Sequence, residues 1–197
     1  MIASPLVDRR EFLESIAGLS ALLPGLSLQQ AFAQDVHARA RGFAAPRTLN
    51  AAQDATVTVI AEILLPKTET VGATDVGVNR FIDLLLTESM LPADRDRFLT
   101  GLTAIEARSK SLYGAPVGRA RHEDRLALVR LLDAQLPPRA PGRIEQAALD
   151  KQPVTAERGY ALLKQFTVFA YFTSEPVARG LINAPIIPGR YDGCVST

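Results

Sequence analysis

Tryptophan is absent from these 197 residues, cysteine occurs once, and histidine and methionine occur twice each. One cysteine excludes an intrachain disulfide and a four-cysteine zinc site, because each needs more thiols. Without tryptophan, any aromatic platform has to come from the 4 tyrosines and 8 phenylalanines. An excess of one charge is missing too: 22 Lys and Arg stand against 21 Asp and Glu, a net of +1. That balance gives no global electrostatic reason to bind nucleic acid or an anionic membrane surface, so nucleic acid is not an expected partner. Cofactor fingerprints are also missing. The chain has no glycine-rich dinucleotide turn, no Walker loop and no Cys-x-x-Cys-His for haem c, so no cofactor and no metal is expected on it. What it does have is an apolar fraction of 47% with only 22% charged residues, the balance of a folded globular protein.

The first 33 residues differ from the rest. Arg9 and Arg10 precede an apolar stretch from Ile16 to Leu28, and Ala31-Phe32-Ala33 follows it. A charged start, a modest apolar run and small residues at a cleavage site are the parts of an export signal, in the right order. The run is shorter than the ~20 apolar residues that a spanning helix needs, and Pro24 and Gly25 interrupt it. Arg9, Arg10, Phe12 and Leu13 resemble the twin-arginine motif, whose translocon carries proteins that are already folded. The expectation is a signal peptide over residues 1–33, cut after Ala33, with a periplasmic destination. Residues 34–47 are polar, small and basic without a sustained period, and are expected to be a tether. Residues 48–197 form the remaining domain.

That domain is expected to be all-α: a small irregular bundle of about six helices with long loops and an extended C-terminal tail. Asn50 with Gln53 makes a capping box, and apolar positions 56, 57, 60, 63 and 64 follow at helical spacing until Pro66. Residues 56–60 alone also suit a strand, but they sit inside the longer helical period. A loop over 66–78 leads to a second helix carrying Phe81, Ile82, Leu84, Leu85 and Leu86 to about Ser89. Pro92 opens a third, with Phe98, Leu99, Leu102, Ile105 and Leu112 on one face and Gly114 as its C-cap. A fourth covers Glu123–Leu136, with Leu126, Val129, Leu132 and Leu136 inward. A short fifth is expected near residues 143–150, and a sixth over about Thr155–Phe172, apolar nearly all round and buried at the centre. From Ser174 onward, Pro176, Pro185, Pro188, Gly189 and Gly193 argue for irregular chain.

Few residues offer chemistry. His122-Glu123-Asp124 is the one His–carboxylate cluster, and beside Arg119, Arg121 and Arg125 it reads as a solvated helical first turn rather than a metal site. His37 lies in the tether with no evident partner. Ser174 next to Glu175 reads as a cap that closes one helix and opens a short one containing Pro176, rather than as a nucleophile, which would need a base. Cys194 has no partner in the chain. In an oxidising compartment that points either to an intermolecular disulfide or to a free thiol.

Several segments, taken in order, resemble the gluconate 2-dehydrogenase subunit 3 family. They are the twin-arginine leader, Ile63-Leu64-Leu65-Pro66, the Gly72-Ala73 loop leading to Val78-Asn79-Arg80-Phe81-Ile82-Asp83, Tyr171-Phe172-Thr173-Ser174-Glu175, and Ile187-Pro188-Gly189-Arg190-Tyr191-Asp192-Gly193-Cys194. The resemblance spans about residues 48–194. Ala170 stands where the pattern suggests glycine, and Pro176 is a further departure. The resemblance implies a non-catalytic small subunit. Its partner is a catalytic subunit of the glucose-methanol-choline type that holds FAD and oxidises a sugar or polyol. A cytochrome subunit carrying haem c often accepts the electrons, and the complex is membrane-associated. The small subunit would escort its partner through the twin-arginine translocon and stay bound. Tyr171, Phe172, Ser174, Glu175 and Tyr191 are then the candidate interface, and Cys194 the candidate intersubunit disulfide. A stand-alone periplasmic hydrolase using Ser174, or a ligand-binding protein, is the alternative.

Overall fold

A computed structural model describes residues 36–40, 42, 45–136 and 153–180. The described residues are all-α, with no strand among them. After a helical turn at 36–40 come α1 (Ala51–Leu64), α2 (Val78–Glu88), α3 (Pro92–Tyr113), a 3-10 turn (Val117–Arg119), α4 (His122–Ala134), α5 (Ala156–Phe172) and α6 (Glu175–Gly180). The leader, the helix expected near 143–150 and the tail from 181 lie outside the described residues.

The local signals act as their chemistry requires. At α1 the Asn50 side chain accepts from the Gln53 backbone N–H at 2.9 Å, and the Gln53 side chain accepts from the Asn50 N–H at 3.0 Å. Two orphan donors of the helix start are thereby satisfied. At the other end Pro66 biases Leu65 away from helical geometry, and Leu65 sits at φ −135°, ψ 72°. Residues 56–60 are helical. Pro92 is the first residue of α3, and Gly114 ends that helix at φ 71°, a left-handed conformation that costs a glycine nothing. Its N–H bonds the Lys110 carbonyl at 2.9 Å.

Helix α5 is the central element, packing against α1, α2, α3, α4 and α6. Its closest neighbour is α3. A Cβ placed on Gly101 of α3 would lie 2.6 Å from the Gly159 Cα of α5, so the two backbones touch where neither helix has a side chain. Phe98 and Phe166 meet beside that crossing with ring centroids 5.4 Å apart. Leu102, Ile105, Leu128, Leu132, Tyr160 and Leu163 fill the space around it, fully buried. Burying each such side chain contributes about 1.5–3 kcal/mol. Tyr160 sends its hydroxyl to Asp133 Oδ1 at 3.0 Å. Burial, then the Asp133 carboxylate, pushes its pKa up.

Two helix-face expectations change. Leu112 is 44% exposed, although Ser109 is fully buried and Tyr113 packs against the core, because helical spacing alone does not supply a covering partner. In α4 Val129 and Leu132 are buried as expected, but Leu128 lies deeper than Val129 and Leu126 is half-buried, while Leu136, past the end of the helix, is half-buried against the core. The short helix expected after Ser174 forms as α6, with Pro176 in its first turn, where a missing N–H costs nothing.

Candidate functional site

The described residues that carry the family resemblance gather toward the C-terminal turn of α5. Here two irregular segments, the loop between α1 and α2 and the arm preceding α1, are held to the bundle.

The loop is braced by carboxylates. Glu62, in the last turn of α1, accepts from the Lys67 N–H at 3.1 Å, the Thr74 N–H at 3.1 Å and the Thr74 hydroxyl at 2.6 Å. Partial burial pushes Glu62 up, but the Thr74 and Lys67 hydrogen bonds together outweigh it and hold the carboxyl below its ordinary value. Asp75 accepts from the Gly72 N–H at 2.9 Å and pairs with Lys67 at 3.2 Å. The Gly72 bond, then Lys67, lowers its pKa. From the other side, the Tyr171 hydroxyl of α5 donates to the Val71 carbonyl at 2.7 Å.

The arm is fixed by α2 and by the same end of α5. Asp83, buried in α2, accepts three backbone N–H groups: Arg47 at 2.7 Å on one oxygen, and Thr48 at 2.9 Å with Leu49 at 2.8 Å on the other. Thr87 donates to the Asp83 carbonyl, so its hydroxyl receives the Thr48 hydroxyl at 2.7 Å. Arg39 and Arg47 both pair with Glu88, Arg47 at 2.7 Å. His37 is 3% exposed, with its ring 4.2 Å from that of Phe81. Thr173 already donates to the Phe169 carbonyl, so its oxygen receives the His37 Nε2–H at 3.3 Å. Val36 and Ala40 are buried as well. The described part of the expected tether is therefore docked chain, and His37 is one of its anchors. Sequence reasoning missed both, because the partners lie far along the chain. One signal was available: Asp83 falls among the apolar positions Phe81, Ile82 and Leu84, where a charge needs a specific partner.

The predicted site residues divide accordingly. Tyr171 and Ser174 are only 4% and 1% exposed, and the Ser174 hydroxyl donates to the Tyr171 carbonyl at 2.7 Å. Ser174 thus closes α5, and its carbonyl accepts the Ala178 N–H as α6 begins. Phe172 stands edge-on to Tyr171, with centroids 5.3 Å apart, and is half-buried. Glu175 is half-buried and pairs with Arg179 at 2.9 Å. Arg9, Arg10, Phe12, Leu13, Ala31, Ala33, Tyr191 and Cys194 lie outside the described residues. His122-Glu123-Asp124 forms the first turn of α4, where Arg121 pairs with Glu123 at 2.8 Å and Asp124 at 2.9 Å. Among the described residues no three His, Cys, Asp or Glu side chains gather as metal ligands, and no helix is long and apolar enough to cross a membrane.

What the corner does chemically is hold shape: carboxylates and hydroxyls satisfy the backbone groups of two segments that lack secondary structure to do so. Comparison with curated proteins and with solved structures gives no match. The profile of gluconate 2-dehydrogenase subunit 3 matches residues 51–189, which takes in α1 through α6 and every brace just described except the arm itself. On that match, the chain belongs to the gluconate 2-dehydrogenase subunit 3 family.

Proposed function

We propose that this chain is the non-catalytic small subunit of an FAD-dependent sugar or polyol dehydrogenase complex, and that it escorts the catalytic subunit through the twin-arginine translocon to the periplasm. The observation that carries the reading is the family match over residues 51–189, preceded by Arg9-Arg10 and Phe12-Leu13 in export spacing. The family is named for a dehydrogenase subunit, which supports an accessory place in an oxidoreductase complex. FAD resides on the partner, which is of the glucose-methanol-choline type, and haem c on a cytochrome subunit where one is present. The complex is associated with the membrane through those partners. A hydrolase built on Ser174 gains no support, since that hydroxyl is buried and spent on a helix carbonyl.

The partner surface lies around Phe172, Glu175 and Tyr191, because Tyr171 and Ser174 are committed to this chain's own core. Cys194 forms a disulfide with a cysteine of the catalytic subunit, which raises the local effective concentration to about the millimolar range. Co-purification from the native operon tests the whole reading. A flavoprotein should travel with this chain, and the flavin spectrum should follow the large chain when the two are separated. Stoichiometric flavin on the small chain, or catalysis by it alone, would refute the proposal. On a non-reducing gel, a band at the summed mass of the two chains supports the Cys194 bond. Unshifted chains that react with a maleimide remove it.

A further inference from the structure

We infer that the described residues of the arm, 36–40, 42 and 45–49, are a fold-dependent latch, which is fully fastened to the body only when α2 and α5 are assembled together. The grounds are the origin and number of its contacts. Asp83 and Glu88 come from α2, 34 to 49 positions along the chain from their arm partners, and Thr173 comes from the end of α5, 136 positions from His37. Phe81, against which the His37 ring packs, is itself edge-on to Phe169 of α5 at 5.8 Å. His37 therefore sits where α2 and α5 meet, and neither helix alone offers the whole seat. The arm has little of its own to hold it: apart from the helical turn at 36–40 and the turn that Gly42 closes onto Arg39, its described residues are bends and irregular chain. Three backbone N–H groups on one buried carboxylate replace the secondary structure it lacks.

The consequence is a coupling between folding and display. While α2 and α5 are apart, the seat of His37 is incomplete and the arm keeps only its α2 anchors. Once they pack, Val36 and His37 are buried at the α2–α5 junction. For a route that accepts folded cargo, this gives the signal a mechanical link to the state of the body. That consequence rests on the export reading proposed above, whereas the latch itself does not.

Trypsin tests the latch on the full chain, since Arg39 and Arg47 lie within it and cleavage needs locally opened chain. In a urea series, cleavage after Arg47 should rise with the same midpoint as the loss of helical circular dichroism. Asp83→Asn turns one acceptor into a donor facing the Arg47 N–H. It should speed cleavage after Arg47 in the absence of urea by about tenfold or more while helical signal is retained. Cleavage of the unmodified chain after Arg47 at low urea, well before the helices melt, would overturn the latch. So would an Asp83→Asn arm that stays as protected as the original. If Asp83→Asn loses its helices, the urea series on the unmodified chain still decides. Export is scored separately, by fractionation of the Arg9-Arg10→Lys-Lys variant, so the two ideas fail independently.

Discussion

The α3–α5 crossing and the arm on α2 are both tight, but by opposite means. At the crossing, side chains are removed: Gly101 meets Gly159 backbone to backbone, and Phe98, Phe166 and Leu163 fill the flanks. At the arm, one carboxylate is inserted and three peptide N–H groups gather on it. The first contact is non-directional and fails when volume changes. The second is directional and fails when one acceptor is lost. A small domain can therefore carry long irregular segments without a larger core, provided a few acids are placed under them.

The largest effect that would separate these mechanisms is expected in the crossing. Phe98→Ala should cost about 3–5 kcal/mol through lost burial and the cavity left behind. Gly159→Ala forces a Cβ to within 2.5 Å of the Gly101 backbone and should cost roughly 1–3 kcal/mol or more. Both are read as lower urea midpoints for the whole helical signal. A midpoint that did not move would mean that α3 and α5 are not the packed centre.

A smaller effect belongs to the brace. Tyr171→Phe keeps the ring and removes the bond to the Val71 carbonyl, at an expected cost of about 1 kcal/mol. Its mark should be local, as faster amide exchange in residues 66–77 with little change in α3. Uniform acceleration across the chain would place Tyr171 in the global core instead.

The helices were legible because their signals are local. Asn50 with Gln53, Pro92, Gly114 and the apolar spacing of residues 56–64 all act within a turn or two. The arm was not legible, because its sequence has no period and each anchor is tens of residues away. Leu112 was misjudged for a related reason, since spacing gives a face but not what covers it. The family motifs were visible as letters. Their work as braces, with Asp83 under the arm and Tyr171 under the loop, needed three dimensions.

Acid sharpens the contrast further. Glu62 and Asp75 have lowered pKa values in the folded chain. Their stabilisation is therefore present above the unfolded values near 4.5 and 3.8 and is lost as pH falls through the folded values. Below about pH 4 the 66–77 loop should exchange faster while the apolar crossing holds. Glu62→Gln should flatten that acid response, and an unchanged response would show that Glu62 is not the brace. The smallest effect is expected on the surface: Lys164→Met removes a half-exposed partner of Asp133 and should change stability by only about 0.2–1 kcal/mol.

Export is the claim on which the functional account turns, and one fractionation tests it. The native operon is expressed with Arg9-Arg10→Lys-Lys in this chain and with nothing changed in the flavoprotein. Lysine keeps the charge but lacks the planar guanidinium that a receptor reads with two parallel hydrogen bonds. Both subunits should then remain in the cytoplasm, while the unmodified operon should deliver both to the periplasm. A flavoprotein that still reaches the periplasm would show that this chain does not carry it there.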